Sequence, residues 1–182
     1  RVSWNLNKRL IALEYGGNSI SIFNDSTGQK VITNYGLFEA WSPAGDRIIT
    51  RDGRILDENA FFIRRLEDPF EDYGADSFRV FTMHKWSPAR ANIIALHKGV
   101  AGGGDSLRMW DVSNENSQPA KLIKSVGAHN GLIYACQWSP SGNRIASIGG
   151  DSSAVMYNFI LNIPMRLAGH TGDVRSLAWS AG

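Results

Sequence analysis

An all-β fold built from repeated four-stranded units is what this sequence predicts, and three observations carry the prediction. A Trp-Ser-Pro turn recurs: Trp41-Ser42-Pro43-Ala44-Gly45 opens Asp46-Arg47-Ile48-Ile49, Trp138-Ser139-Pro140-Ser141-Gly142 opens Asn143-Arg144-Ile145-Ala146-Ser147, and Trp86-Ser87-Pro88 is a looser copy. Strand-like runs of about five residues alternate with turn signals every 8–12 residues or so. No segment carries a coherent set of helix start and stop signals.

The repeat sets the organisation. Trp4, Trp41, Trp86, Trp138 and Trp179 are spaced by 37, 45, 52 and 41 residues, around the roughly 40–45 residues of one four-stranded propeller blade. The interval of 52 implies an insertion. Taken in order, the units run about 1–35, 36–74, 75–126 and 127–168, with a partial unit at 169–182. The fourth unit is the most regular. Leu132–Trp138 is a mostly apolar run, Ser-Pro-Ser-Gly is a hairpin turn in which Pro presets φ and Gly supplies a positive one, and Arg144–Ile148 returns. Gly149-Gly150-Asp151-Ser152 makes the next turn, and Ala154–Phe159 is a third strand.

These residues resemble the WD-repeat (Trp-Asp repeat) β-propeller family, as a divergent member. Leu107-Arg108-Met109-Trp110-Asp111 ends in the Trp-Asp dipeptide. Gly169-His170-Thr171-Gly172-Asp173-Val174 through Trp179-Ser180 is similar to the Gly-His opening and first strand of such a repeat, and Gly127-Ala128-His129 is a shifted version of that opening. Ser19–Asn24 stands where the Trp-Asp strand of the first unit belongs. The resemblance covers essentially the whole chain. It implies a propeller with about four blades visible, part of a larger one of about seven, because Trp4 and Trp179 stand in equivalent strands and the units are cut at both ends. It further implies a hydrogen-bonded relay within one blade, supplied by His129, Ser147 and Asp151, with Tyr157 in the tryptophan place. The units at 36–74 and 75–126 lack the relay pattern and are expected to rely on apolar packing.

The bulk numbers exclude several function classes. The 182 residues are 43% hydrophobic and 20% charged, with a net charge of +2 and a pI near 8.8. That balance is globular, and too weakly basic to argue for nucleic acid by itself. One cysteine, Cys136, rules out an internal disulfide and fits a reducing compartment. No apolar run reaches the length of a membrane span. Ser147, His129 and Asp151 are also the residue types of a nucleophilic triad, but no nucleophile-elbow sequence surrounds Ser147. Lys98–Asp105 is Gly-rich, yet no Gly-Lys-Ser/Thr ends it and a strand follows, so it reads as a hairpin connection rather than a phosphate cradle. His84, His97, His129 and His170 have no metal-ligand spacing. Asn24-Asp25-Ser26 is a glycosylation sequon and reads as a turn.

No catalytic, cofactor-binding or metal-binding residue is therefore expected. The leading reading is a non-enzymatic scaffold that holds other protein subunits in an intracellular complex, cytoplasmic or nuclear, with no membrane span and no small-molecule substrate. The alternative is a propeller module binding RNA or a nucleoprotein, through Arg47, Arg51 and Arg64; an enzyme with a site in the propeller channel comes third. The acidic, aromatic stretch Glu67, Asp68, Phe70, Glu71, Asp72 and Tyr73 reads as an interblade loop, and functionally as a contact for a basic partner. Arg47, Arg51, Arg54, Arg64 and Arg65, just upstream, are candidates to pair with it.

Overall fold

The structure is a computed structural model that describes residues 2–15, 19–35, 37–66, 83–89, 93–98, 106–113, 120–127 and 129–181. Among these residues there is no helix; sixteen strands form four antiparallel sheets of four. The first holds β1 (Val2–Asn5), β2 (Leu10–Tyr15), β3 (Ser19–Asn24) and β4 (Lys30–Tyr35). The second holds β5 (Phe38–Trp41), β6 (Arg47–Thr50), β7 (Arg54–Asp57) and β8 (Phe62–Arg65). The third holds β9 (Met83–Trp86), β10 (Ile93–Lys98), β11 (Ser106–Asp111) and β12 (Lys121–Gly127). The fourth holds β13 (Ile133–Trp138), β14 (Arg144–Gly149), β15 (Ala154–Asn158) and β16 (Ile163–Leu167). Every sheet is a meander in chain order, so each is one propeller blade. The first strands β1, β5, β9 and β13 neighbour one another in series and form the inner side of the array.

The middle strands read as continuous apolar runs because both of their faces are covered. Successive side chains point to opposite faces of a sheet. In the second blade Ile48 and Leu56 therefore face the first blade, while their neighbours Ile49 and Ile55 face the third. Three clusters result, one at each seam. Leu10, Ala12, Ile20 and Ile22 meet Phe38, Ile48 and Leu56 at the first. Ile49, Ile55 and Leu66 meet Trp86, Trp110 and Val112 at the second. Leu107, Met109 and Val126 meet Ile133, Cys136, Ile145 and Tyr157 at the third. The core of this molecule lies between blades rather than within them.

The Trp-Ser-Pro turn builds the first and third seams. In the second and fourth blades the serine makes the same bonds. Ser42 N–H donates to Arg47 O and Ser139 N–H to Arg144 O, and the Ser42 and Ser139 hydroxyls accept from the N–H of Arg47 and Arg144, each at 3.1 Å. The tryptophan then reaches backwards. Trp41 Nε1 donates to Ser3 O at 3.5 Å, Trp138 Nε1 to Lys85 O at 3.0 Å, and Trp179 Nε1 to Gln137 O at 3.1 Å. Each acceptor is the residue just before a tryptophan that precedes it in the series, so one indole ties two first strands together. Trp86 breaks the series: its Nε1 is buried without an acceptor among the described residues. The turn glycines complete the seam. Gly45 and Gly142 have φ of 77° and 65°, and a Cβ on them would lie 2.2 Å from Asn5 Oδ1 and 2.7 Å from Ala89 Cβ. Only glycine meets both the conformation and the close approach of the preceding blade's turn.

The end of every third strand is also shared. Asn24, Asp57, Asp111 and Asn158 close β3, β7, β11 and β15, and the side-chain oxygen of each accepts N–H groups two to four residues on, at 2.8–3.1 Å. Such Asx turns mimic a backbone turn and start the hairpin to the outer strand. The dipeptides Phe23-Asn24, Leu56-Asp57 and Tyr157-Asn158 thus stand in the place of Trp110-Asp111. The glycosylation triplet at Asn24 is one of these turns. A meander puts the first and third hairpins of a blade at the same end, so the Trp-Ser-Pro turns and the Asx turns share one face of the array.

Candidate functional site

The densest polar grouping lies at the opposite end of the fourth blade, around His129. Nδ1 of His129 is 2.8 Å from Asp151 Oδ1, and Nε2 is 2.9 Å from Ser147 Oγ. Asp151 sits in the tight turn between β14 and β15. It also accepts from Asn130 N–H at 2.9 Å, Ser153 Oγ at 2.8 Å and Arg166 at 2.6 Å. Burial pushes the Asp151 carboxyl up, but the bonds from His129, the Asn130 amide, Ser153 and Arg166 outweigh it and hold the group well below the ordinary carboxylate range. An ionised Asp151 takes the Nδ1 proton as a hydrogen bond, which leaves Nε2 to accept from the Ser147 hydroxyl. The chain runs from a fully buried serine in β14 to Arg166 on the outer strand β16, and ties these two strands, the turn between β14 and β15 and the preceding loop together.

Tyr157 stays outside this chain. It is buried in the third seam and its hydroxyl donates to Asn162 Oδ1, which also accepts from Lys124 of the third blade at 3.1 Å. The Lys124 ammonium stands 5.5 Å from the Tyr157 ring centre. The longer reach of the phenol carries its bond away from Ser147 and into a link between the third and fourth blades.

The second blade packs through apolar side chains at both seams, and a polar group adds to this. Its β6–β7 turn holds a smaller polar chain without histidine: Thr50 Oγ1 donates to Asp52 at 2.6 Å, and Arg54 Nε donates to Asp52 at 2.7 Å. Burial raises the Asp52 carboxyl, and the bonds from Thr50 and Arg54 bring it below the usual value. Thr50 pairs across the sheet with Phe38 as Ser147 lies beside Cys136. In the third blade Leu96 pairs with His84 in that place.

Arg47, Arg51 and Arg64 of the second blade are tied into the array. Arg51 bridges Glu39 of its own blade at 3.3 Å and Glu14 of the first at 3.1 Å. Arg47 donates to Val112 O of the third blade at 3.0 Å, and Arg64 is fully buried. They do not present the exposed basic face that nucleic-acid binding needs. The acidic residues Glu67, Asp68, Phe70, Glu71, Asp72 and Tyr73 lie outside the described residues, as does the Gly-rich stretch 99–105. Cys136 is buried and its thiol is pushed up to about 12 by burial, with a small opposing effect of Lys85, so it is a neutral packing group at physiological pH.

Four-stranded meander blades stitched at their first strands, with a His-Ser-Asp chain buried in one of them, define the class as a β-propeller blade array. A family model, WD domain, G-beta repeat, matches residues 120–158, which span the outer strand of the third blade and the first three strands of the fourth. The chain thus resembles the WD-repeat family, as a divergent member. It is 34% identical over 79 residues to the Ribosome biogenesis protein WDR12 homolog of Chlamydomonas reinhardtii, covering 42% of this chain and 18% of that protein. It is 27% identical over 104 residues to Protein hir1 of Emericella nidulans, covering 44% of this chain and 10% of the relative. A chain in the crystal structure of a mitotic checkpoint complex superimposes with a TM-score of 0.65 at 19% identity, covering 98% of this chain and 52% of that one, a likeness of fold alone. The chain thus spans less than a fifth of these sequence relatives and about half of the structural neighbour. No helix among the described residues is long and apolar enough to cross a membrane.

Proposed function

We propose that this chain is a non-enzymatic protein-interaction scaffold, a WD-repeat subunit of a multi-subunit complex in the cytoplasm or nucleus. The observation that carries the reading is the pair of apolar hairpin tips on one face. Phe61 and Phe62 at the β7–β8 hairpin are 63% and 59% exposed, and Ile160 and Leu161 at the equivalent β15–β16 hairpin are 69% and 62% exposed. Each tip is fixed by an Asx turn on a rigid blade, an arrangement suited to anchoring a protein partner. The name of one relative points the same way, a ribosome biogenesis protein. Against catalysis at His129 stands the full burial of Ser147, whose hydroxyl is enclosed by His129 and Val155 O and offers no approach to a substrate. Against RNA binding stands the pairing of Arg47 and Arg51 within the array and the burial of Arg64.

Affinity purification of the full-length protein from its own cells, with mass spectrometry, tests the reading. A defined set of protein partners is expected with the wild type and a depleted set with the Phe61→Ser/Phe62→Ser variant, both unchanged by nuclease. Absence of any stoichiometric protein partner removes the scaffold reading. Partners that vanish on nuclease treatment shift the assignment to a nucleoprotein.

A further inference from the structure

The first strands of the third and fourth blades and residues 175–177 enclose a cleft of about 520 Å³ on the inner side of the array, within the range of about 300–1,000 Å³ typical of ligand sites. Its charge is one-sided. Lys85 and Arg175 both line it, and no lining residue is acidic. Lys85 makes no ion pair with a carboxylate among the described residues, and its neighbour Cys136 carries no charge to offset it. Arg175 is 81% exposed and pairs with the rim carboxylate Asp173 at 3.6 Å, an exposed contact that constrains it little. Between the two cations the wall is formed by Trp86, Trp138, Leu177 and the exposed amide side chain of Gln137. The Trp138 indole bond to Lys85 O and the Trp179 bond to Gln137 O fix the backbone of the wall.

We propose that this cleft binds an extended acidic segment of a partner protein, with carboxylates on Lys85 and Arg175 and an apolar side chain against Leu177. The proposal rests on the scaffold reading above and gives it a site and a partner chemistry. A polyanionic RNA is the poorer occupant. Two cations make a short electrostatic footprint, and the indoles are not open for base stacking, since both are largely buried and Trp138 already stacks on Phe159 at 5.1 Å.

Fluorescence anisotropy on the full chain decides it, using a labelled octapeptide of alternating Asp and Leu and a control octapeptide of alternating Lys and Leu. The acidic probe is expected to bind, to weaken with salt, and to lose about tenfold in affinity for Lys85→Gln/Arg175→Gln. The control is expected not to bind. The charge-keeping variant Lys85→Arg/Arg175→Lys should retain the acidic probe, which separates lost charge from lost folding. Equal binding of both probes, unchanged affinity in the Gln variant, or tighter binding of a poly-uridine oligonucleotide overturns the proposal. If the Gln variant keeps every partner that purifies with the wild type, the cleft is not the docking site and the scaffold reading stands. If the wild type purifies with no partner, the scaffold reading falls while the anisotropy still judges the cleft.

Discussion

At Asp151 a single carboxylate holds together a loop, a turn and the outer strand β16. Its side chain is only 8% exposed and accepts bonds from His129, Asn130, Ser153 and Arg166. Removing such a charge leaves buried donors without their acceptor, so Asp151→Asn is expected to destabilise the chain at neutral pH by about 2 kcal/mol. The pH dependence has a definite sign. The folded carboxyl titrates below its unfolded value, so the unfolded chain takes up the proton first as pH falls. The stabilisation is full above the ordinary carboxylate value near pH 4 and is lost below it, as the pH falls through the depressed folded value. Urea melts at pH 7 and pH 3 should therefore show a large gap between wild type and Asp151→Asn at neutral pH and a smaller one in acid. An equal gap at both would mean that the charge of Asp151 does not matter. The pair His129 and Ser147 was legible in the sequence through the family pattern, because residue type and spacing both survive there. The fate of Tyr157 was not, because it depends on where Asn162 and Lys124 fall in three dimensions.

The hairpin turns show how an element is specified by its neighbour as much as by itself. Gly28, Gly45 and Gly142 all have positive φ, but a Cβ on Gly28 would meet nothing within 4 Å. Gly28→Ala is then expected to cost only the left-handed backbone penalty, about 1 kcal/mol. Gly45→Ala adds a clash with Asn5, a buried side chain that already bonds Gly45 O at 2.7 Å and accepts from Lys8 N–H at 3.2 Å. It should cost about 3 kcal/mol, and thermal melts of the two variants test the contrast. The Trp-Ser-Pro-x-Gly string announced the turn, because Pro and Gly act locally. It did not announce that the glycine is also the seam, since that contact joins residues 40 apart. The second blade was hard to read for the same reason. Leu56-Asp57 replaces the Trp-Asp dipeptide, Thr50 and Asp52 meet without a histidine between them, and Arg51 finds its carboxylates at Glu39 and Glu14 on two different strands. In each case the turn-forming or charged residue persists, and what identifies its role is the partner across a sheet or a seam.

Over the whole array, stability is expected to spread from seam to seam, because each apolar cluster joins only two adjacent blades. Such a chain approximates a one-dimensional series of units coupled to nearest neighbours. Met109 is fully buried at the third seam and Leu56 is nearly so at the first. Truncating either to alanine removes buried apolar volume worth about 2–5 kcal/mol, but the consequences should differ in place. Met109→Ala is expected to speed amide exchange in β11 and β13–β15 while β1–β3 keep their protection, and Leu56→Ala should do the reverse. Both of these seams are also stitched by polar bonds, Trp138 to Lys85 O at 3.0 Å at the third and Asn5 to Gly45 O at 2.7 Å at the first. Hydrogen exchange read by mass spectrometry on both variants measures the contrast directly. Uniform deprotection of all four blades in either variant would show one cooperative core and remove the seam-by-seam account.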